Sequence, residues 1–316
     1  AIFNSIANGT SIIKNFSSSA DCLSTIRCLR SLGAQIVASK RSESLPNYAR
    51  TLHITGVGKD GINEPDNVLN AGNSGTTMRL LMGVLATHEI NSVLTGDHSL
   101  RSRPMIREIR ALRGMGAQIQ GRGDRSLPPI SISGGRLTGG RYIMPESSAQ
   151  LKSTLLIAGL FSEGATIIEQ PNLSRDHSER MLAAMGASIT SKNLQLTIQP
   201  SALQAADMVV PGDISSASFW LVLGLCHPNS EITVRNVNIN PSRAGFLQVI
   251  EKMGGSISIT NQTIQSGEPI GDLTATSSSL SATTIEGAMI PLLIDELPIL
   301  ALAACFAKGE TEIKDA

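Results

Sequence analysis

The sequence predicts a mixed α/β (α+β) protein of about two domains, built from one supersecondary unit repeated around buried helices. The 316-residue length is more than one ordinary core fills. The first repeat signal is Leu32-Gly33-Ala34-Gln35-Ile36, Met115-Gly116-Ala117-Gln118-Ile119, Met185-Gly186-Ala187-Ser188-Ile189 and Met253-Gly254-Gly255-Ser256-Ile257, with glycines 83, 70 and 68 residues apart. The second is an interleaved set of helical stretches that are apolar nearly all round: Leu80 to Ala86, Leu155 to Leu160, Phe219 to Leu225 and Ile299 to Phe306.

Each Gly-x-x-Ile match follows an amphipathic helix. Met105, Ile106, Ile109, Leu112 and Met115 show the helical spacing. The glycine then fits a C-terminal position of positive φ, and a short strand follows. These are outer helices, with a polar face for water. The fully apolar stretches are inner helices, expected to be buried on every side. Three open through small polar residues: Ser74-Gly75-Thr76, Ser147-Ser148-Ala149 and Ser215-Ser216-Ala217. The fourth opens through Asp295-Glu296, with Pro298 in its first turn, where proline costs no helical hydrogen bond. Each inner helix leaves by a polar turn into a strand, as Ser162-Glu163-Gly164 precedes Ala165 to Ile168. Ile2 to Ala7, an Asn8-Gly9 turn and a strand from Thr10 to Phe16 read as the close of an inner helix whose start is absent. The strand Thr311 to Lys314 stops where another outer helix is due. A fragment trimmed at both ends is therefore expected.

Composition narrows the function classes. With 26 basic and 26 acidic residues, the chain lacks the electrostatic case for a nucleic-acid or anionic-membrane partner. Only 3% of residues are aromatic, so the core is aliphatic. No run reaches the roughly 18 apolar residues needed to span a bilayer, and the residues given do not read as a signal peptide. Cys22, Cys28, Cys226 and Cys305 lack CxxC spacing and read as buried, reduced thiols of a cytosolic protein. The five histidines have no metal-ligand spacing.

The densest chemical signal is Gly72 to Arg79, Gly-Asn-Ser-Gly-Thr-Thr-Met-Arg, a tight loop opening an inner helix. Free N–H groups at the helix start and Arg79 one turn in suit an anion, although a capped core helix has the same pattern. Six further motifs accompany it in order. They are Ala20 to Thr25, Gly96-Asp97-His98-Ser99-Leu100 through Arg103-Pro104-Met105, Ser148 to Ser153, Ser174 to Arg180, Val210 to Ala217 and Ile294 to Pro298. Together they resemble the 5-enolpyruvylshikimate-3-phosphate synthases, the enolpyruvyl transferases of the shikimate pathway. The resemblance covers essentially the whole chain. It implies the two-domain enolpyruvyl transferase fold, with three βαβαββ-type units per domain around buried helices and the active site in the cleft between them. Residues 1–211 would form a nearly complete domain binding shikimate 3-phosphate, and 212–316 a partial second domain carrying the base. It also implies a monomeric cytoplasmic enzyme without metal or organic cofactor.

In that family the enolpyruvyl group of phosphoenolpyruvate moves to the 5-hydroxyl of shikimate 3-phosphate. The carbon–carbon double bond is protonated as the hydroxyl attacks, and the tetrahedral intermediate then loses phosphate and a proton. Such chemistry needs cationic clamps and a base. By resemblance, Asn73, Gly75, Thr76 and Arg103 hold phosphoenolpyruvate, Gly75 giving the ligand close approach and Arg103 acting with a helix dipole at Pro104. Ser148, Ala149 and Gln150 match contacts to shikimate 3-phosphate, Ala149 standing where many relatives have a second serine. Ser174 and Arg175 match further substrate-phosphate contacts, and His177 stands where some relatives carry tyrosine. Asp295 matches the base that takes the hydroxyl proton, and it also fits a helix cap. Arg79 is either a ligand or a structural hydrogen-bonding residue, Lys152 either a cleft charge or a surface one. Arg101, Arg107, Arg110 and Arg113 read as surface charges.

The family carries a Lys-Ser and an arginine before the point where this chain begins, and a Lys-Glu pair and three cations after its end. The fragment alone is expected to be inactive, its parent an enzyme. Two alternatives stay open. UDP-N-acetylglucosamine enolpyruvyl transferases share fold and donor, but usually place a cysteine in the loop that here, at residues 96–102, has none. A non-catalytic domain binding shikimate 3-phosphate is the other.

Overall fold

The computed structural model describes residues 1–39 and 49–316. It resolves into two compact units. The larger holds Ala1–Pro171 and Ser178–Val210, the smaller Asn172–His177 and Pro211–Ala316.

The larger unit contains one topology three times. In each four-stranded sheet an edge strand runs parallel to its neighbour, and two antiparallel pairings follow. The orders are Met208–Val209, Thr10–Ser17, Ala49–Thr55, Gln35–Ala38; then Leu69–Asn70, Asn91–Thr95, Leu127–Ser133, Gln118–Arg122; then Arg141–Ile143, Thr166–Glu169, Gln195–Ile198, Ile189–Lys192. The antiparallel strands alternate buried and exposed residues, as in Leu127–Ser133, so each sheet lays one face on the core. Inner helices Gly75–Leu85 and Ala149–Phe161 pack together in that core, with Leu81, Met82, Leu156 and Ile157 fully enclosed.

The smaller unit repeats the pattern once in full. Gly212 bridges Val237 in parallel, and Glu231–Asn238, Glu268–Thr276 and Ser256–Gln265 pair antiparallel. Thr284–Ile285 and Glu312–Ile313 form a parallel pair beside it. Inner helices Ile214–Cys226 and Leu297–Ala304 share a separate apolar cluster.

The repeated glycines explain why the outer helices stop alike. Gly33, Gly116, Gly186 and Gly254 have φ of +100°, +102°, +88° and +80°. Each donates to a carbonyl three residues back, and the next residue donates five back, as in Gly116 N–H to Arg113 O and Ala117 N–H to Leu112 O. This six-to-one, five-to-two closure needs a left-handed residue, where a Cβ costs strain.

Several expectations need correction. The inner helices of the smaller unit are not buried all round: Phe219 and Trp220 are each 59% exposed and Phe306 is 60% exposed. The third inner helix begins at Ile214, capped by Asp213, whose Oδ2 accepts from Ser216 N at 2.9 Å. Ser215 and Ser216 therefore lie inside its first turn. Lys152 is not a surface charge. It is completely buried and its Nζ lies 2.6 Å from Glu179 Oε1. All four cysteines are free thiols, but only Cys28 is buried, where desolvation pushes its pKa up to about 11; Cys305 is exposed. No single helix among the described residues is long and apolar enough to cross a membrane.

Candidate active site

In the larger unit the Gly72–Arg79 loop is held by its own hydrogen bonds. Ser74 caps the Gly75–Leu85 helix, its Oγ accepting from Thr77 N at 3.1 Å. Gly72 takes φ +61°, which turns the chain into that cap. Asn73 then faces outward with both ends of its amide used. Its Nδ2 donates to Asp97 Oδ2 at 2.6 Å, and its Oδ1 accepts from Arg103 Nη2 at 2.5 Å. Asp97 is fixed in turn by Leu100 N at 2.8 Å. The Leu100 amide first, then Asn73 and the charge of Arg103, hold its carboxyl below the ordinary aspartate range. Asp97 sat inside a recognised motif, yet sequence reasoning gave it no role.

Arg103 is placed differently from the expectation. It closes a short 3-10 turn, Leu100–Ser102, in extended conformation ahead of Pro104, and the next helix starts only at Ile106. Its guanidinium turns instead to the start of the Gly75–Leu85 helix, with the Asn73 amide and the Ser99 hydroxyl as its partners. Gly75 sits between two guanidiniums. A Cβ there would lie 2.8 Å from Arg79 Nη1 and 3.4 Å from Arg103 Nη1. The missing side chain makes room first for these arginines.

The start of the Ala149–Phe161 helix joins the same cluster. Ser148 caps it, its Oγ accepting from Leu151 N at 3.3 Å. Gln150 Oε1 accepts from Arg79 Nη1 at 3.0 Å, and Gln150 Nε2 donates to Thr76 Oγ1 at 2.9 Å. The structure thus gathers Asn73, Gly75, Thr76 and Arg103 with Gln150. Ser148 and Ala149 stand two residues and one residue earlier in the chain than Gln150. Arg79 makes structural contacts, with Nη1 on Gln150 and Nε 3.0 Å from Glu108 Oε1.

The smaller unit carries a second charged cluster. Asp295 Oδ2 accepts from Arg175 Nη2 at 2.7 Å and Arg243 Nη1 at 3.1 Å. Partial burial alone would raise its pKa, but Arg175 and Arg243 together hold it below the usual carboxylate range. Asp295 does not cap the Leu297–Ala304 helix; Glu296 occupies that position without a side-chain cap bond. Glu296 is buried and accepts a hydrogen bond from Ser215 Oγ. Ser174 is buried in the loop before the His177–Ala184 helix. His177 Nδ1 lies 2.9 Å from Glu268 Oε1, and Glu268 also accepts from Asn238 and Asn240.

Arg243 was missed. Its Nη2 donates to Ser215 Oγ at 2.6 Å, besides the bond to Asp295. A usable signal existed: Ser102-Arg103, Ser174-Arg175 and Ser242-Arg243 each precede an outer helix by two or three residues. The repeat that fixed the glycines also fixes a Ser-Arg pair.

Sheet units packed on inner helices, with arginine–amide and arginine–carboxylate clusters near the helix starts, suit a protein that handles small anions. The sequence model of EPSP synthase (3-phosphoshikimate 1-carboxyvinyltransferase) matches residues 1–316. The 3-phosphoshikimate 1-carboxyvinyltransferases of Chloroflexus aurantiacus and Desulforudis audaxviator are 48% and 46% identical, over 100% of this chain and 72% of each relative. The solved EPSP synthase of Acinetobacter baumannii superposes with a TM-score of 0.88 at 39% identity, over 99% of this chain and 69% of that one. The chain belongs to the EPSP synthase family.

Proposed function

We infer that the protein transfers the enolpyruvyl group of phosphoenolpyruvate to shikimate 3-phosphate, a step of aromatic amino acid biosynthesis. The family match supports the reaction. The observation that carries the site is the Asp97–Asn73–Arg103 chain, which aims a guanidinium without neutralising it directly. In this reading Arg103, with Asn73, Gly75 and Thr76, holds the phosphate and carboxylate of phosphoenolpyruvate. Fixed cationic donors stabilise charge on the departing phosphate at little reorganisation cost. Ser148, Ala149 and Gln150 contact shikimate 3-phosphate at its phosphate and hydroxyls, and Ser174 and Arg175 make further substrate-phosphate contacts. Asp295 removes the 5-hydroxyl proton as the oxygen attacks C2 of phosphoenolpyruvate and C3 takes a proton; loss of phosphate from C2 and of a proton from C3 then restores the double bond.

The arginines on Asp295 bear on that role. A carboxylate gripped by two guanidiniums is a weak base, and a phosphate that draws Arg175 away would restore its basicity. The protein is expected to act as a cytoplasmic monomer. Titration calorimetry with shikimate 3-phosphate, then a phosphate-release assay with both substrates, run on this chain and on a full-length version, tests the reading. Binding and release support it. Binding without release leaves a shikimate 3-phosphate-binding domain, and no binding removes the assignment.

A further inference from the structure

A carboxylate outside every assigned role lies directly behind the larger unit's cluster. Glu108, on the Ile106–Gly114 helix, is completely buried, and its Oε1 is 3.0 Å from Arg79 Nε. The approach is an ion pair without the alignment of a hydrogen bond, and Glu108 Oε2 has no hydrogen-bond partner among the described residues. For stability alone an apolar side chain would serve better, because a buried, incompletely satisfied ion pair returns little of its desolvation cost. Its neighbours Ile109 and Leu112 show that this face of the helix is otherwise core.

What Glu108 touches gives it a use. Arg79 is its ion-pair partner, and Arg79 Nη1 donates to Gln150 Oε1 at 3.0 Å. The backbone carbonyl of Arg79 accepts from Thr154 Oγ1 at 3.0 Å, tying the two inner helices together. A guanidinium can only donate, so the amide oxygen of Gln150 must face it. The Gln150 amino group then faces Thr76, where one N–H is used and the second is left. Arg79 and Arg103 also converge on Gly75, two like charges that a nearby carboxylate makes compatible.

We propose that Glu108 is a positioning residue: through Arg79 it sets the Gln150 amide so that an N–H, not the carbonyl, meets a substrate oxygen. The inference rests on the reading of Gln150 as a shikimate 3-phosphate contact. It makes Gln150 a donor, suited to a hydroxyl or phosphate oxygen.

A double-mutant cycle of Glu108→Leu and Gln150→Ala tests it, with shikimate 3-phosphate titrated calorimetrically into all four proteins and unfolding midpoints recorded. Glu108→Leu alone is expected to weaken binding about tenfold, the scale of one charge-assisted hydrogen bond. In the Gln150→Ala background the same substitution is expected to change binding less than about twofold, since coupled residues are non-additive. Glu108→Gln, which keeps an acceptor of the same shape, should recover part of the affinity. A general structural role would weaken binding equally in both backgrounds. That outcome, or full affinity in Glu108→Leu, overturns the inference while leaving the function intact. Failure of the unmodified protein to bind removes the Gln150 assignment, and this inference with it.

Discussion

The inner helices of the two units are alike in sequence and unlike in surroundings. In the larger unit, Gly75–Leu85 and Ala149–Phe161 are enclosed by three sheets, and Leu81, Met82, Leu156 and Ile157 see no solvent. In the smaller unit, Ile214–Cys226 and Leu297–Ala304 have one three-stranded and one two-stranded sheet, and Phe219, Trp220, Leu302 and Phe306 remain half exposed or more. A helix apolar all round states that it prefers burial; the number of units around it decides whether it is buried. The charged clusters differ in parallel. Arg103 is held by an amide and a hydroxyl, so its charge stays available to an anion. Arg175 and Arg243 are held by Asp295, so an anion there must compete with a carboxylate.

The largest expected effect attacks the chemistry of the smaller unit. In a full-length enzyme carrying this chain, Asp295→Asn should lower kcat about 10³-fold, the scale of a lost general base, with shikimate 3-phosphate binding retained. Retention of kcat would move the base elsewhere and leave Asp295 as a counter-ion to Arg175 and Arg243.

Next in size is a packing contrast. Met82→Ala should cost about 3 kcal/mol, because the site is enclosed and leaves a cavity. Leu302→Ala, in an equally apolar helix, should cost no more than about 0.5 kcal/mol, because the side chain is half in water. Denaturant melts followed by circular dichroism would show both, and equal costs would remove the contrast. Trp220, the only tryptophan, supplies a direct probe: its emission should be red-shifted and readily quenched by acrylamide.

These contrasts mark where sequence was sufficient. The Gly-x-x-Ile matches identified all four outer-helix ends, because a buried Leu or Met followed by a left-handed glycine leaves a local signature. The order of motifs placed Asn73 and Gln150 at helix starts, whereas Arg103 and Asp295 lie in the turns ahead of their helices. Burial of Lys152 was not legible, because pairing with Glu179 depends on which helices meet. Nor was exposure of Trp220, which reflects neighbours rather than its own segment. Arg243 fell between these cases: its Ser-Arg pair repeats at helix spacing, but two charged residues alone look like a solvated turn.

A smaller effect tests the crowding at Gly75. Gly75→Ala puts a methyl 2.8 Å from Arg79 Nη1, so that guanidinium must yield. Because Arg79 also holds Gln150, the substitution should weaken phosphoenolpyruvate and shikimate 3-phosphate by about tenfold each, near 1.4 kcal/mol. Loss confined to phosphoenolpyruvate would mean that the methyl meets ligand and spares Arg79.

The smallest effect concerns the ion pairs that distinguish the smaller unit. Asp295 is about half exposed, so its bonds to Arg175 and Arg243 should stabilise folding by no more than about 1 kcal/mol after solvent screening. Their sign is set by the lowered pKa. A carboxyl depressed in the folded state contributes fully above its unfolded value of about 4, and loses that contribution as pH falls through the lower folded value. Arg243→Gln should therefore lower stability slightly at pH 7, and the difference should shrink as pH drops below about 4. Salt should shrink it as well, since the pair is partly exposed. A difference that persists in acid would instead trace to the Arg243 bond to Ser215, a neutral contact that carboxylate protonation leaves in place.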